Sequence, residues 1–374
     1  MLFIADDIYI SAVPRYACAS GCSPRSHRLE LALGNFMTKE PQMIHVALIG
    51  AGRIGKIHGA NLARQPGVQL RFVCDTVATA AEQLAAQLGA ETCDLDRIFS
   101  DASIAAVVIA SSTDTHADLI QRAAAAGKAI FCEKPVDLDL ERARACAAAV
   151  TSASIPCLIG FQRRYDPTFA ALKRRLDAGE IGEPEMLAVT SRDPGAPPVE
   201  YIRRSGGIFK DMLIHDFDIC RWILGDEAVS VYATASCLTD PAIAAAGDAD
   251  STAVTIRTQR GRLCQINTTR RAAYGYDQRF EVLGSLGMLA AGNHRPTEVS
   301  AHKAAGISSD VPEPFFLERY RAAYAEEMLH FADVLGGKAA PRTSVDDAVK
   351  ALELAESATR SFREGRVVAL TELA

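Results

Sequence analysis

The sequence lacks three features that would place it in a specialised class of protein. No apolar stretch reaches the roughly 18 residues of a membrane-spanning helix, so no membrane partner is expected. No basic run stands out, and the formal net charge of −6 argues against a nucleic-acid partner. The ten cysteines include no CxxC pair and no Cys/His cluster at zinc spacing, so we expect no metal and a reducing, cytoplasmic location.

What is present is typical of a two-domain globular protein. The chain has 374 residues, of which 49 % are apolar and 23 % are charged. Residues 1–42 lack the basic start of a signal peptide and show no sustained periodicity, which favours a disordered arm or a mis-called upstream start. A chain that begins at Met43 is then expected to keep its activity and thermal stability.

A glycine-rich turn separates an apolar run from a helical stretch near the start of the first domain. Three glycines in a GxGxxG pattern follow the run Ile44–Ile49: Gly50, Gly52 and Gly55. Such glycines permit a tight turn, the close approach of a pyrophosphate, and close packing of helix on strand. Asp75 ends the next apolar run and can accept hydrogen bonds from an adenine ribose. Because a carboxylate there repels a 2′-phosphate, the pattern predicts NAD over NADP, with a purely structural turn as the alternative.

The order of strand-like and helix-like runs predicts the fold class. Strands alternate with helices up to residue 160, which indicates βαβ units and a parallel sheet. Strand-like runs then follow one another without helices between them, which indicates a mainly antiparallel sheet. We therefore expect an α/β protein. A Rossmann doubly wound parallel sheet would occupy residues 43–162, and an α+β domain with a large open, mainly antiparallel sheet would occupy residues 163–374.

Polar residues follow the predicted strand Ala106–Ala110. Ser111, Thr113 and His116 come next, at the carboxyl end of a parallel strand, where ligands bind in such sheets. We expect hydroxyl and backbone contacts to the cofactor there. Capping of the following helix by Thr115 or the preceding aspartate is the alternative.

Glu133 and Lys134 occupy the equivalent place after the strand Ala129–Cys132. Pro135 follows them and restricts the backbone, so the lysine is expected to be held close to the crevice. A cation there can polarise a substrate hydroxyl or shift the pKa of a neighbouring group. An ordinary surface charge is the alternative.

A double glycine leads into the predicted helix Asp211–Leu224. Asp211 and His215 are four residues apart, so they would share one helix face and could touch. An imidazole near an acid is a suitable general base near neutral pH. A metal site and a plain helix salt bridge are the alternatives, although no second histidine or cysteine stands at ligand spacing.

Five segments resemble the glucose–fructose oxidoreductase/inositol dehydrogenase (Gfo/Idh/MocA) family, and within it the bacterial inositol dehydrogenases. They are GAGRIGKIHGANL, EKP, GFQRRYDP, TSRDPGAPPVEYIRRSGGIFKDMLIHDFD and EVLGSLGML. The resemblance extends from Met43 to the C-terminus and implies NAD-dependent oxidation of myo-inositol to scyllo-inosose by a homotetramer. Gln162 and Met212 stand where the family pattern varies, which leaves the choice among inositol isomers open.

The resemblance also implies roles for single residues. Lys134, Asp211 and His215 match the family's catalytic trio, with His215 as the base that takes the hydroxyl proton. Arg163, Asp193 and Tyr274 match positions that line the polyol pocket, which the trio also lines. The residues assigned to the cofactor are Gly50, Gly52, Arg53, Ile54, Gly55, Asp75, Ser111, Thr113, His116, Glu133 and Lys134. Another inositol isomer or an aldose as substrate, and a non-catalytic dinucleotide sensor, are the alternatives.

Overall fold

The computed structural model describes residues 43–373, and the prediction made for residues 1–42 lies outside them. The first half forms a parallel sheet with helices between its strands. The strands are β1 (Ile44–Ile49), β2 (Val68–Cys74), β3 (Glu91–Thr92), β4 (Ile104–Ile109), β5 (Ala129–Glu133) and β6 (Cys157–Gly160). The helices are α1 (Arg53–Leu62), α2 (Ala78–Leu88), α3 (Leu95–Ser100), α4 (His116–Ala125) and α5 (Leu140–Ala153).

The strand order of this sheet is β3-β2-β1-β4-β5-β6, and the strands pair in parallel. That order reverses direction between β1 and β4, which makes the carboxyl ends of these two strands a switch point at which ligands bind. The inner strands carry long apolar runs because helices cover both faces of the sheet. The predicted Rossmann fold is confirmed.

The second half is built on a larger mixed sheet. Its strands are β7 (Pro184–Arg192), β8 (Ala228–Ser236), β9 (Ser251–Thr258), β10 (Leu263–Thr269), β11 (Asp277–Gly284), β12 (Gly287–Ala291) and, at the end of the chain, β15 (Val368–Ala369). Two further strands, β13 (Ser300–Lys303) and β14 (Gly306–Ser309), form a separate exposed hairpin. The seven strands are ordered β12-β11-β7-β10-β9-β8-β15, and only β7 and β10 pair in parallel.

Helices cover one face of this sheet and leave the other open. The helices of this half are α6 (Pro167–Asp177), α7 (Val199–Ser205), α8 (Ile214–Leu224), α9 (Pro241–Ala245), α10 (Phe316–Arg319), α11 (Arg321–Leu335) and α12 (Val345–Glu364), and α6, α8 and α12 pack on the sheet. Buried and exposed residues alternate along β9 and β10, as expected when one face packs and the other does not. The prediction of an open, mainly antiparallel sheet is therefore confirmed.

The C-terminal helices return to the first sheet. Helix α11 packs on α1, and α12 packs on both α5 and α8. The backbone N–H of Ile159 in β6 donates to the carbonyl of Thr343, just before α12. Helix α12 begins with a capping box between Ser344 and Asp347 and ends at Gly365 in the left-handed conformation. Among residues 43–373, no helix is long and apolar enough to cross a membrane.

Candidate active site

The glycine turn between β1 and α1 has the geometry of a phosphate cradle. A Cβ on Gly50 would lie 2.5 Å from the backbone of Ala110, and one on Gly55 would lie 2.0 Å from the Gly50 carbonyl oxygen. Gly52 caps α1, and nothing lies within 4 Å of its Cβ position. No side chain caps this helix and no acid stands in its first turn, so its first N–H groups, including those of Arg53 and Ile54, are free to bind an anion. The turn therefore fits a dinucleotide pyrophosphate.

Asp75 closes this cradle from the end of β2. One carboxylate oxygen, Oδ2, accepts the backbone N–H of Ala51 at 2.6 Å, and the other accepts the N–H of Val77 at 2.8 Å. The acid is thus held beside the glycine turn, with further lone pairs available for ribose hydroxyls. Its negative charge at that place disfavours a 2′-phosphate.

A cleft of about 590 Å³ runs along the carboxyl ends of β4 and β5. The residues assigned to the cofactor that line it are Arg53, Ile54, Ser111, Thr113, His116, Glu133 and Lys134. The buried ring of His116 bonds the carbonyls of Pro135 (2.8 Å) and Ser111 (3.2 Å), which joins the two strand ends. The predicted cap of α4 does not form, because the hydroxyl of Thr115 donates to the carbonyl of Ser112 instead.

Lys134 links the first sheet to the second half of the chain. Its Nζ donates to the carbonyl of Asp211 at 3.0 Å and lies 3.5 Å from the Oδ1 atom of the same residue. Neighbouring Glu133 hydrogen-bonds through its Oε1 atom to Nε2 of the buried His58 ring at 2.6 Å. Lys134 is 17 % exposed, so its charge is partly desolvated and acts strongly on nearby groups. The interpretation as an ordinary surface charge is therefore wrong.

The segment that carries Asp211 differs from the prediction. Residues Ile208–Met212 form a single π-helical turn, with the N–H of Leu213 bonded to the carbonyl of Ile208, and α8 begins only at Ile214. The extra residue in this turn changes the angular offset between Asp211 and His215. No ion pair or hydrogen bond joins them within the part of the chain that the structure describes. The predicted contact, and with it the helix salt bridge, is not formed.

Asp211 is held by other groups. The hydroxyl of Tyr201 donates to its Oδ1 atom at 3.0 Å, and Arg270 Nη2 lies 4.0 Å from its Oδ2 atom. Tyr201 also lines the cleft, whereas Arg270 is fully buried. Neither residue was expected from the sequence. Tyr201 falls within a family-like segment that could have indicated it, but nothing in the pattern distinguishes Arg270 from Arg271.

His215 stands as a neutral imidazole. Burial, followed by the positive charges of Lys134 and Arg163, holds its pKa well below the usual range. Its Nδ1 atom is buried and has no hydrogen-bond partner among residues 43–373. A neutral imidazole has one unprotonated ring nitrogen at neutral pH. That nitrogen can accept a proton, which is the requirement for a general base.

Two of the three predicted pocket residues lie near His215. Arg163 is buried and paired with Asp216, and its guanidinium also donates to Ser191 at 3.3 Å. Burial raises the pKa of Asp193 to about 7, while the charges of Arg270 and Arg163 lower it. Arg163 thus acts on both His215 and Asp193, and these groups form one electrostatic cluster.

Tyr274 is the exception. It is 42 % exposed, and its hydroxyl bonds Arg192 (2.9 Å) and Asp277 (2.6 Å) rather than the cluster around His215. Tyr276, two residues later, is buried, and the charges of Arg163 and Asp193 act on its hydroxyl. The structure therefore brings Tyr276, not Tyr274, to the cluster. No group of three or more His, Cys, Asp or Glu that could hold a metal ion occurs in the described range.

Comparison with protein-family models gives two matches that together cover most of the chain. Residues 44–161 match the oxidoreductase-family domain described as an NAD-binding Rossmann fold, of the Gfo/Idh/MocA type. Residues 173–370 match the C-terminal alpha/beta domain of the same family. The matches begin and end close to the two sheets described above.

Individual relatives are similar over nearly their whole length. The chain is 48 % identical to an inositol 2-dehydrogenase of Rhizobium meliloti, over 87 % of this chain and 99 % of that protein. It is 40 % identical to a myo-inositol 2-dehydrogenase of Thermotoga maritima (88 % and 99 % covered) and 40 % identical to an NAD+-dependent scyllo-inositol 2-dehydrogenase of Bacillus subtilis (87 % and 96 %). A crystal structure of Lactobacillus casei myo-inositol dehydrogenase with NAD(H) and myo-inositol superposes with a TM-score of 0.79 at 27 % identity, over 88 % of this chain and 97 % of that one.

Proposed function

The chain belongs to the Gfo/Idh/MocA oxidoreductase family, and we propose that it oxidises myo-inositol to scyllo-inosose with NAD as hydride acceptor. The observation that carries the proposal is that Lys134, which lines the cleft, contacts Asp211 and acts on a neutral His215. Relatives named for myo-inositol support the choice of substrate.

The residues of the cleft suit the removal of a proton from a hydroxyl. NAD, when bound, supplies the hydride acceptor. His215 takes the proton of the reacting hydroxyl as the hydride leaves the adjacent carbon, and its lowered pKa ensures that it is unprotonated beforehand. Lys134 donates to the reacting oxygen and stabilises the negative charge that develops on it. Asp211 keeps the Lys134 ammonium in place through its carbonyl and carboxylate.

Carboxylates and guanidinium groups suit the remaining hydroxyls of a polyol. We assign Asp193 and Asp211 as hydroxyl acceptors and Arg163 as the cation behind them. Tyr201 and Tyr276 join this set on the basis of their contacts and surroundings. Each additional hydroxyl that finds a partner adds to specificity, because an analogue without it leaves a buried polar group unpaired.

Replacement of His215 tests the proposed base. His215→Ala should lower kcat by roughly 10²–10⁴-fold, since a positioned general base contributes that much, while the Kd for NAD stays near the wild-type value. NADH absorbance at saturating NAD and inositol gives kcat, and fluorescence titration gives the Kd. His116→Gln, at a residue assigned to the cofactor, is the control, and it should instead raise the Kd for NAD. Near-normal turnover in His215→Ala would contradict the assignment.

A panel of polyols tests the substrate. Wild-type protein is assayed with myo-inositol, scyllo-inositol and glucose, and we expect the highest kcat/KM for myo-inositol. Because one relative is named for scyllo-inositol, that isomer is the second candidate substrate. A higher kcat/KM for scyllo-inositol than for myo-inositol would make it the proposed substrate instead. Inactivity on every polyol together with tight NAD binding would favour a non-catalytic dinucleotide sensor.

We further propose that the protein forms a homotetramer through the open face of its second sheet. Four apolar side chains, each 37–51 % exposed, lie opposite one another across neighbouring strands of that face: Leu263, Met186, Leu283 and Met288. An exposed apolar row of this length is typical of an interaction surface, and closed homo-oligomers are the usual outcome of a self-complementary one.

The eight described cysteines are free thiols, which supports a cytoplasmic location.

A further inference from the structure

The guanidinium of Arg270 differs from those of the other buried arginines. Arg270 directly follows β10, is 1 % exposed, and donates its backbone N–H to the carbonyl of Asp250 at 2.8 Å. Its Nε, Nη1 and Nη2 atoms have no hydrogen-bond partner in the described part of the chain. In contrast, Arg163, Arg164 and Arg319 each donate directly to a buried aspartate. Arg270 is therefore not one of the ion-pair clamps of the core.

Three carboxylates surround this unpartnered cation. Its Nη2 atom lies 3.7 Å from Asp248 Oδ2 and 4.0 Å from Asp211 Oδ2. The parallel register of β7 and β10 places Asp193 beside it, where both strands end. Arg270 is also the charge that lowers the pKa of Asp193 most, against the larger effect of burial. One positive charge is thus shared among three acids.

Asp248 connects this cluster to the π-helical turn. Its Oδ1 atom accepts the backbone N–H of Ile208, the first residue of the turn, at 3.0 Å. A Cβ on Gly207 would lie 2.7 Å from that same oxygen, so the backbone approaches the carboxylate as closely as a glycine allows. Arg270 therefore faces both Asp211 and the acid that fixes the start of its turn.

We propose that Arg270 is a positioning residue of the polyol site, which holds Asp193 and Asp211 in place as hydroxyl acceptors. This inference rests on the proposed function. At 4.0 Å from Asp211 the guanidinium stabilises the negative charge without occupying the lone pairs of that carboxylate, whereas a direct clamp such as that of Arg319 on Asp166 occupies them. Within the described part of the chain Arg270 donates no side-chain hydrogen bond to Asp193 either, so it leaves both acids free to accept hydrogen bonds from vicinal hydroxyls.

The variants Arg270→Gln and Arg270→Lys test this role, with Arg271→Gln as the matched control at the exposed neighbouring arginine. Arg270→Gln should raise the polyol KM about tenfold or more, the usual effect of losing a charged partner, and change the NAD KM less than twofold. Arg270→Lys should have a polyol KM close to that of the wild type because it keeps the positive charge. A merely structural role would lower the active fraction, and hence the apparent kcat, without raising the polyol KM more than the NAD KM.

The pH profile supplies a second readout. Loss of the Arg270 charge should move the acidic limb of kcat/KM to higher pH, because Asp193 then binds its proton more tightly. Arg163, Asp211 and Asp216 also act on Asp193, as does the nearby Tyr276 hydroxyl, and none of them is altered in these variants. Arg271→Gln should leave the limb unchanged.

The outcomes separate this inference from the function on which it rests. Wild-type protein that is inactive on every polyol overturns both. If the wild type is active, two results overturn the positioning role alone. One is that Arg270→Gln leaves both the polyol KM and the acidic limb of the kcat/KM profile unchanged. The other is that Arg271→Gln changes them as much as Arg270→Gln does. If Arg270→Gln does not fold, Arg270→Met replaces it, because it keeps an unbranched side chain and removes the buried polar atoms. The ratio of its polyol KM to that of the wild type is then the deciding measurement.

Discussion

Asp193 is an acid whose charge the fold opposes. Burial raises its pKa to about 7, against roughly 3.9 for an aspartate in an unfolded chain. A folded pKa above the unfolded one means that this residue stabilises the fold fully below about pH 4, and that the contribution is lost as the pH rises through 7. The charged form needed to accept polyol hydroxyls is therefore the form that destabilises the folded protein.

Asp193→Asn should remove this pH dependence. We expect the melting temperature of the ligand-free variant to rise relative to wild type as the pH goes from 5 to 8, because the variant has no proton to lose. Each pKa unit corresponds to about 1.4 kcal/mol, so the difference at pH 8 is on the order of a few kcal/mol. Differential scanning fluorimetry at several pH values measures it, with Asp96→Asn on exposed α3 as control. A constant difference at all pH values would contradict the assignment.

Single residues show where prediction from sequence succeeds and where it stops. Lys134 stands at a strand end beside a proline, so its place on the sheet rim followed from local order alone. Tyr274 and Tyr276 are two residues apart, and the loop geometry that buries one and exposes the other depends on contacts with distant residues. Arg270 could not be distinguished from Arg271 for the same reason. The roles assigned to all of these residues remain predictions.

At the scale of elements, the π-helical turn Ile208–Met212 decides how Asp211 is presented. A regular helix from Asp211 would have placed that carboxylate against His215, and the i, i+4 spacing gave no sign of the extra residue in the turn. The turn starts from Gly207 in the left-handed region (φ 78°), beside Asp248. The alternation of strands and helices in the first half, in contrast, follows from local patterns and was predicted.

Gly207→Ala should perturb this turn and through it the site. The methyl group would collide with the Asp248 carboxylate and displace the start of the turn, so we expect kcat/KM for the polyol to fall about tenfold or more. Gly67→Ala is the matched control, because Gly67 has a similar φ of 80° but open space around its Cβ position. Both variants should lose about 1 kcal/mol of stability from backbone strain. Equal kcat/KM values in the two would contradict the role of the turn.

At the scale of the whole molecule, the second sheet has a face that its own chain leaves uncovered. Met186 lies in the middle of the exposed apolar row, between Leu263 and Leu283. Met186→Glu should lower the mass measured by light scattering from that of four chains to that of a smaller species, since a buried unpaired charge is costly. Leu238→Glu, at an exposed leucine outside the row, should keep the wild-type mass. A monomeric wild type would contradict the proposed assembly.

The long-range packing of the molecule was not accessible from the sequence. Helical spacing of apolar residues can indicate that α11 and α12 are buried, but not that they pack on α1 and α5 of the first sheet. Residues 163–374 were expected to form a separate domain, and the division at residue 162 remains a prediction. Periodicity identifies which face of a helix is covered, while the partner depends on the path of the whole chain.

The position of Asp75 has a consequence for attempts to redesign the cofactor preference. Its Oδ2 atom accepts the N–H of Ala51 inside the glycine turn, so the residue that we propose selects the ribose also supports the loop proposed to hold the pyrophosphate. A substitution that admits a 2′-phosphate by removing this carboxylate also removes a support of the loop. Re-engineering the protein for NADP therefore requires a replacement acceptor for the Ala51 N–H together with a new cation, and not a change at one position.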